Sequence, residues 1–345
     1  MAVIIFVPVI SCNYFVDPAN VFHDDVVCKV AEYLSDGNIV EVPANMDEGL
    51  LQEKMIASMK VAPETVIIGS SHVMYIPFKY ENVYNAGMSG SYLGDYYAIL
   101  GLLKYYDKMP KRVVIGVDPW TFMKDDVDGR WTPLQKYAIY FKGELAGNGV
   151  LEDVWISKKK KLKELVSFSY FHTSWKKFKD DGLRKGAETV CVAEDNAIGE
   201  KQKKNPDGRL IPSQKGFQSK IQISKDVTDG IRAGKIYQVG TGFKEISYER
   251  LKSFEELIKY MKNNGIEVQL YLPAWHPKVY EFFLQNEDFV GVIKVEEEMR
   301  RLGRKYNIPV HGGYNPVLCN ITEDDFMDWL HLKPEKMLEN YEYVQ

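Results

Sequence analysis

The chain has little cysteine and no motif built from it. Its 345 residues contain four, Cys12, Cys28, Cys191 and Cys319. They are far apart and lack Cys-x-x-Cys or Cys/His spacing, so no zinc ribbon or dithiol redox motif is encoded. His23, His172 and His311 also lack partners at ligand spacing, and no metal site is expected. Positive charge is not in excess, with 44 basic against 48 acidic residues, which argues against a general nucleic-acid binder. There is no internal repeat and no long low-complexity tract. A mean hydropathy of −0.29 and 45% hydrophobic residues exclude both a polytopic membrane protein and a disordered chain.

Long apolar runs are equally scarce. The one near-pure run, Ala2 to Val16 (AVIIFVPVISCNYFV), falls short of the ~20 residues that span a bilayer. No Lys or Arg precedes it, so it lacks the charged start of a signal peptide. Residues 1–22 are expected to be a membrane anchor whose start is trimmed. Two other readings stay open: a lipidation site at Val9-Ile10-Ser11-Cys12, and a buried first strand.

Aromatic residues, by contrast, are plentiful: 22 Tyr, 16 Phe and 6 Trp. Their apolar faces and polar tips suit carbohydrate contacts, although most are expected in the core.

The periodicity is β then α. Thr65-Val-Ile-Ile68 is a short apolar run ending in Gly69-Ser70-Ser71, as in a strand buried on both faces. Further strands are expected at Asn82–Asn85, Arg112–Asp118, Glu267–Leu272 and Ile308–His311. Helices are expected over Met46–Met59, Leu93–Lys108, Ser247–Asn263 and Val290–Tyr306, and from Pro334 onward. Residues 23–122 and 247–345 thus read as one α/β core. Residues 123–246, with Gly- and Lys-rich stretches, read as an inserted cap. In that insert, Lys158–Lys161 and Lys163 form a basic run, read as a solvated helix face or, alternatively, as a contact for an anionic glycan or membrane surface. Five short strands separated by helices predict a three-layer α/β/α sandwich with a mainly parallel five-stranded sheet.

Ligands of such sheets bind at the carboxyl ends of the strands. Ser71, Gly87, Asp118 and Ala274/Trp275 all fall just after strand ends. A serine nucleophile needs a base, an acid to orient the base, and N–H donors for the oxyanion. Ser71 is the candidate nucleophile, His331 the base, and Asp328, three residues before it, the orienting acid. The N–H groups of Ser71 and Gly87 are the candidate oxyanion donors. His72, Asp118, Trp275 and His276 are assigned to substrate binding. A supporting role for His72, a structural cap for Asp118 and a plain loop for His276 are the bland alternatives.

The blocks that carry these residues resemble the SGNH (GDSL-type) hydrolase superfamily. More narrowly, they resemble the membrane-anchored branch that includes alginate O-acetyltransferases and the D-alanyl transfer protein of teichoic acid modification. The likeness lies in Gly69-Ser70-Ser71-His72, Asn85-Ala-Gly87-Met-Ser-Gly90, Asp328-Trp-Leu-His331-Leu-Lys-Pro334, and Asn13-Tyr14-Phe-Val-Asp17-Pro18 after the apolar start. It covers most of residues 13–122 and 247–335. It implies an SGNH-like fold, with Ser71 rather than Ser70 as nucleophile and no cofactor. The implied activity is a serine acyltransferase or esterase acting on O-acyl groups of a cell-surface polysaccharide. The implied setting is the extracytoplasmic face of a bacterial envelope. The implied partners are an acylated glycan or acyl donor and a membrane acyl-transfer protein. One block departs: the family's third block supplies an oxyanion Asn, and here Gly116-Val117-Asp118-Pro119 has none. A carboxylate cannot donate to an oxyanion unless protonated. That departure keeps a second reading open, a non-catalytic binding or assembly protein of surface-glycan biosynthesis on the same scaffold.

Overall fold

The computed structural model describes residues 2–43, 46–124, 134–151 and 162–344. Among the described residues nine strands lie in chain order: β1 (Ile39–Glu41), β2 (Thr65–Ile68), β3 (Val83–Asn85), β4 (Arg112–Gly116), β5 (Val192–Ala193), β6 (Lys203–Lys204), β7 (Leu210–Ile211), β8 (Glu267–Leu272) and β9 (Val310–Gly312). Five of them form one sheet in the order β3-β2-β4-β8-β9, with every pair parallel. Helices cover both faces, so the chain is a three-layer α/β/α sandwich.

The alternation of strand side chains sorts the core into two layers. Val66, Ile68, Val113, Ile115, Val268 and Leu270 face one way, into a large cluster with the helices Leu93–Tyr105, Tyr248–Asn263 and Val290–Tyr306. Ile67, Val114 and Tyr271 face the other way, toward Val73, Met327, Leu332 and Met337. This second layer is thinner. It is made by the four-residue helix Ser71–Met74, the loop before Leu332 and the helix Pro334–Glu342. The thin layer therefore holds the candidate site residues.

Helix boundaries follow local chemistry. Ser247 caps the helix Tyr248–Asn263 by accepting from the Arg250 N–H, and Asp47 caps Glu48–Ser58 through the Leu50 N–H. Each such cap satisfies a donor that the first helical turn leaves unpaired. Asn307, in the left-handed conformation, ends the helix Val290–Tyr306.

The segment 123–246 contributes in two places. Its helix Gln135–Leu145 packs on Leu93–Tyr105 and buries Tyr137 and Phe141 in the large cluster. Its strands β5, β6 and β7 join β1 in a small antiparallel sheet ordered β5-β1-β6-β7. Lys158–Lys161 of the basic run lie outside the described residues, and Lys163 is exposed.

The apolar start is a helix, Ala2–Val16, not the strand entertained from its composition. It packs on the helix Phe168–Asp181. Buried Asn13 ties the two segments by donating from Nδ2 to the carbonyls of Glu164, Leu165 and Ser167. Asp17 takes the N–H groups of Val21 and Phe22 and the Tyr170 hydroxyl. Among the described residues no helix is long and apolar enough to cross a membrane.

At Gly101 the helices Leu93–Tyr105 and Gln135–Leu145 come so close that a Cβ would fall well inside contact distance of the Tyr137 carbonyl. Alanine is favoured over glycine in a helix interior by about 1 kcal/mol. Overpacking against backbone, which cannot rotate away, costs about 1–3 kcal/mol. Gly101→Ala is therefore expected to lower the denaturant midpoint without changing the m-value; an unchanged or raised midpoint would contradict this helix contact.

Candidate active site

The nucleophile side begins with a tight turn. β2 ends at Ile68, Gly69 takes a φ of +154°, and Ser70 caps the helix Ser71–Met74 by accepting from the His72 N–H. The turn lies flat on the sheet because Gly116 leaves room for it. A Cβ on Gly116 would collide with Cγ1 of Val73. Ser71 thus stands at the carboxyl end of β2, and its N–H has no acceptor among the described residues.

The base side is a short hairpin, closed by a bridge between Phe326 and Leu332 and by the Met327 N–H on the His331 carbonyl, 2.9 Å. Asp328 organises it. Its Oδ1 accepts from the N–H groups of Leu330 and His331 at 2.7 and 2.6 Å, and its Oδ2 accepts from His331 Nδ1–H at 2.8 Å. A carboxylate on Nδ1 fixes the tautomer. Nε2 is then the acceptor, and it lies 2.7 Å from Ser71 Oγ. Ser71, His331 and Asp328 therefore form one continuous relay from residues some 260 positions apart. Burial works to raise the Asp328 carboxyl, but the hydrogen bonds and charge of His331 and the two N–H groups prevail and hold it below the ordinary carboxylate value.

The other candidate residues are placed differently from what their positions after strand ends suggested. Gly87 is not a free oxyanion donor: its N–H is given to Asn85 Oδ1 at 3.0 Å. Asn85, buried at the end of β3, also donates from Nδ2 to the Val73 carbonyl at 2.8 Å. Its side chain therefore ties the Gly87 turn to the nucleophile helix. His72 and Asp118, expected to bind substrate, face each other instead of an open surface. Both are buried, with His72 Nδ1 2.6 Å from Asp118 Oδ1 and His72 Nε2 3.2 Å from the Leu330 carbonyl. Burial pulls the His72 imidazole down, but the Asp118 charge and hydrogen bonds outweigh it and raise its pKa above the usual histidine value. Trp275 is a core residue, packed between Trp120 and Phe283 and turned edge-on to His72. His276 is 1% exposed and packs on Phe326 as it starts the helix Pro277–Gln285. The chain leaving β8 thus runs into the core, with His276 against Phe326 of the hairpin.

Two neighbours escaped the sequence reading. The ring of Tyr75 lies 6.0 Å from that of His331, and its hydroxyl accepts from Gln202 Nε2 at 2.7 Å. Tyr75 carried a signal, one helical turn after Ser71; Gln202, just before β6, carried none. Burial and then the Asp328 charge push the Tyr75 phenol up to about 12, so it stays a neutral donor and acceptor at physiological pH. Among the described residues no group of three His, Cys, Asp or Glu side chains is arranged to hold a metal ion.

No family model matches the chain and no curated protein is significantly similar to it.

Burial pushes the His276 imidazole down to about 4, against the opposing charge of Glu323. A folded-state value below the unfolded ~6.5 means that the unfolded chain binds the proton first. The contribution is fully present above pH ~6.5 and is lost as pH falls toward 4, by about 3 kcal/mol at most. Urea melts of wild type should therefore weaken across that window, and His276→Phe should flatten that part of the profile. Equal slopes for the two proteins would refute the assignment.

Proposed function

We propose that the protein is an SGNH-type serine acyltransferase or esterase acting on O-acyl groups of a cell-surface polysaccharide through an acyl-serine intermediate. The observation that carries this reading is the unbroken relay Ser71 Oγ, His331 Nε2, His331 Nδ1, Asp328 Oδ2, with contacts of 2.7 and 2.8 Å. The glycan class and the setting at the outer face of a bacterial envelope rest on the resemblance of the Ser71 and Asp328/His331 blocks to the membrane-anchored SGNH branch.

In the proposed reaction Ser71 Oγ attacks the acyl carbonyl carbon while its proton passes to His331 Nε2. Asp328 stabilises the imidazolium through Nδ1–H. Collapse of the tetrahedral adduct breaks the bond to the leaving oxygen, which takes the proton from Nε2. A sugar hydroxyl or water then gives its proton to Nε2 and attacks the acyl carbon; the second adduct collapses with cleavage of the bond to Ser71 Oγ, which takes the proton back from Nε2 and restores the resting site. The Ser71 N–H is the available donor to the oxyanion. No cofactor enters any step.

A second reading is a non-catalytic assembly protein that keeps the scaffold for binding. The engagement of the Gly87 N–H by Asn85 favours it, because an oxyanion hole normally combines two or more donors.

A fluorophosphonate probe separates the two. Wild type is expected to be labelled at Ser71, Ser71→Ala to lose the label, and Asp328→Asn to react on the order of 10³–10⁴-fold more slowly because the imidazole tautomer is lost. An unlabelled wild type would sink the enzyme reading. Acyl release from p-nitrophenyl acetate, with and without a glycan acceptor, then distinguishes transfer from hydrolysis.

A further inference from the structure

A second histidine–aspartate pair lies directly beneath the first. His72 follows the nucleophile in sequence, and Leu330 precedes the base. The imidazole of His72 spans these two neighbours. A backbone carbonyl can only accept, so the 3.2 Å contact with Leu330 O requires a proton on His72 Nε2. On the far side Nδ1 meets Asp118 Oδ1 at 2.6 Å, and the rings of Trp120 and Trp275 wall the imidazole in. The His72 and His331 rings lie 5.3 Å apart.

We propose that His72 is a positioning residue for the acyl-serine chemistry, its Nε2–H holding the Leu330 carbonyl so that His331 stays within reach of Ser71, with Asp118 fixing the imidazole. The proposal rests on the reading of Ser71 as nucleophile.

Two features favour this role over a purely stabilising one. First, residues 328–331 are otherwise tied mostly to themselves. Among the described residues their hydrogen bonds to the sheet side are two, Ser71 to His331 and His72 to Leu330. The first must break and re-form as the proton moves during each turnover. The second is the fixed point. Second, the pair is a poor way to gain stability. Asp118 Oδ2 is buried with no partner, and a buried ion pair is often matched or surpassed by apolar residues of similar volume. What an apolar pair cannot supply is the donor to Leu330.

The test compares two double variants of the full chain, using p-nitrophenyl acetate turnover and fluorophosphonate labelling of Ser71. His72→Gln/Asp118→Asn keeps an N–H donor near Nε2 and removes the charge; it is expected to stay within a few-fold of wild type. His72→Phe/Asp118→Leu keeps the packing and removes the donor. It is expected to lose kcat on the order of 100-fold, the effect of about 1 Å of misplacement, with KM nearly unchanged and labelling slowed in parallel. Equal rates for the two doubles would overturn the proposal. Should the apolar double fail to fold, ¹⁵N-histidine NMR of wild type decides: His72 Nε2 must be protonated at neutral and mildly alkaline pH, and an unprotonated Nε2 rejects the bridge. A wild type that takes no label rejects the nucleophile assignment itself. A labelled wild type with two equivalent doubles rejects only the positioning role.

Discussion

The parallel pairing of β2 with β4 is the constraint on which the site depends. Ile68 stands opposite Ile115, so Ser71 and Asp118, each three residues further on, leave the sheet at the same level. The notch at Gly116 lets Val73 settle onto the strand ends. The helix Ser71–Met74 therefore lies across the sheet instead of rising from it. That tilt sends His72 down toward Asp118 and leaves Ser71 facing the hairpin. A shift of register by one residue would place His72 opposite Val117 or Pro119 and remove its carboxylate partner.

The other half of the site is built on a single carboxylate. Asp328 uses one oxygen to close its own turn and the other to orient His331. The same carboxylate therefore serves both the turn and the orientation of His331. Burial opposes a charge there, and three donors offset it. This is the usual condition for keeping an ionised acid in a partly dry site. The segment leading into β6 adds a third contribution through Gln202 on Tyr75. Segments from the start, the middle and the end of the chain thus meet around one serine.

Much of this was legible from residue pattern alone. The run Thr65–Ile68 and the run Glu267–Leu272 are strands with the bounds that their apolar stretches suggested. Val290–Tyr306 and the helix starting at Pro334 also match. Strands buried on both faces and helices with clear stop residues announce themselves locally. The third strand ended earlier than Asp118, at Gly116. The fifth was displaced to Val310–Gly312, because pairing with β8 rather than composition sets where a short strand begins. The apolar start was ambiguous for a related reason: a fifteen-residue run that is nearly all apolar carries no clear period, and its helix is evident only in the packed structure, against Phe168–Asp181.

The site divides in the same way. Ser71, Asp328 and His331, which the fold brings together, could be picked out because a serine after a strand and an acid three residues before a histidine are local arrangements. What lies behind them was not. Whether His72, Asp118, Trp275 and His276 face a ligand or the core depends on how the hairpin of residues 326–332 closes over three strand ends, and no residue near them in sequence encodes that closure. Gly87 was misread because its N–H partner is a side chain two residues away, whose rotamer is set by the Val73 carbonyl across the turn. Residue pattern was enough for the parallel sheet, the order of α and β elements and the choice of Ser71, Asp328 and His331 as a candidate set, because these follow from short-range periodicity and backbone chemistry. Tertiary structure alone decided which polar groups remain free and which are bonded to each other, because a hydrogen-bond partner from a distant segment is defined only once the segments have packed.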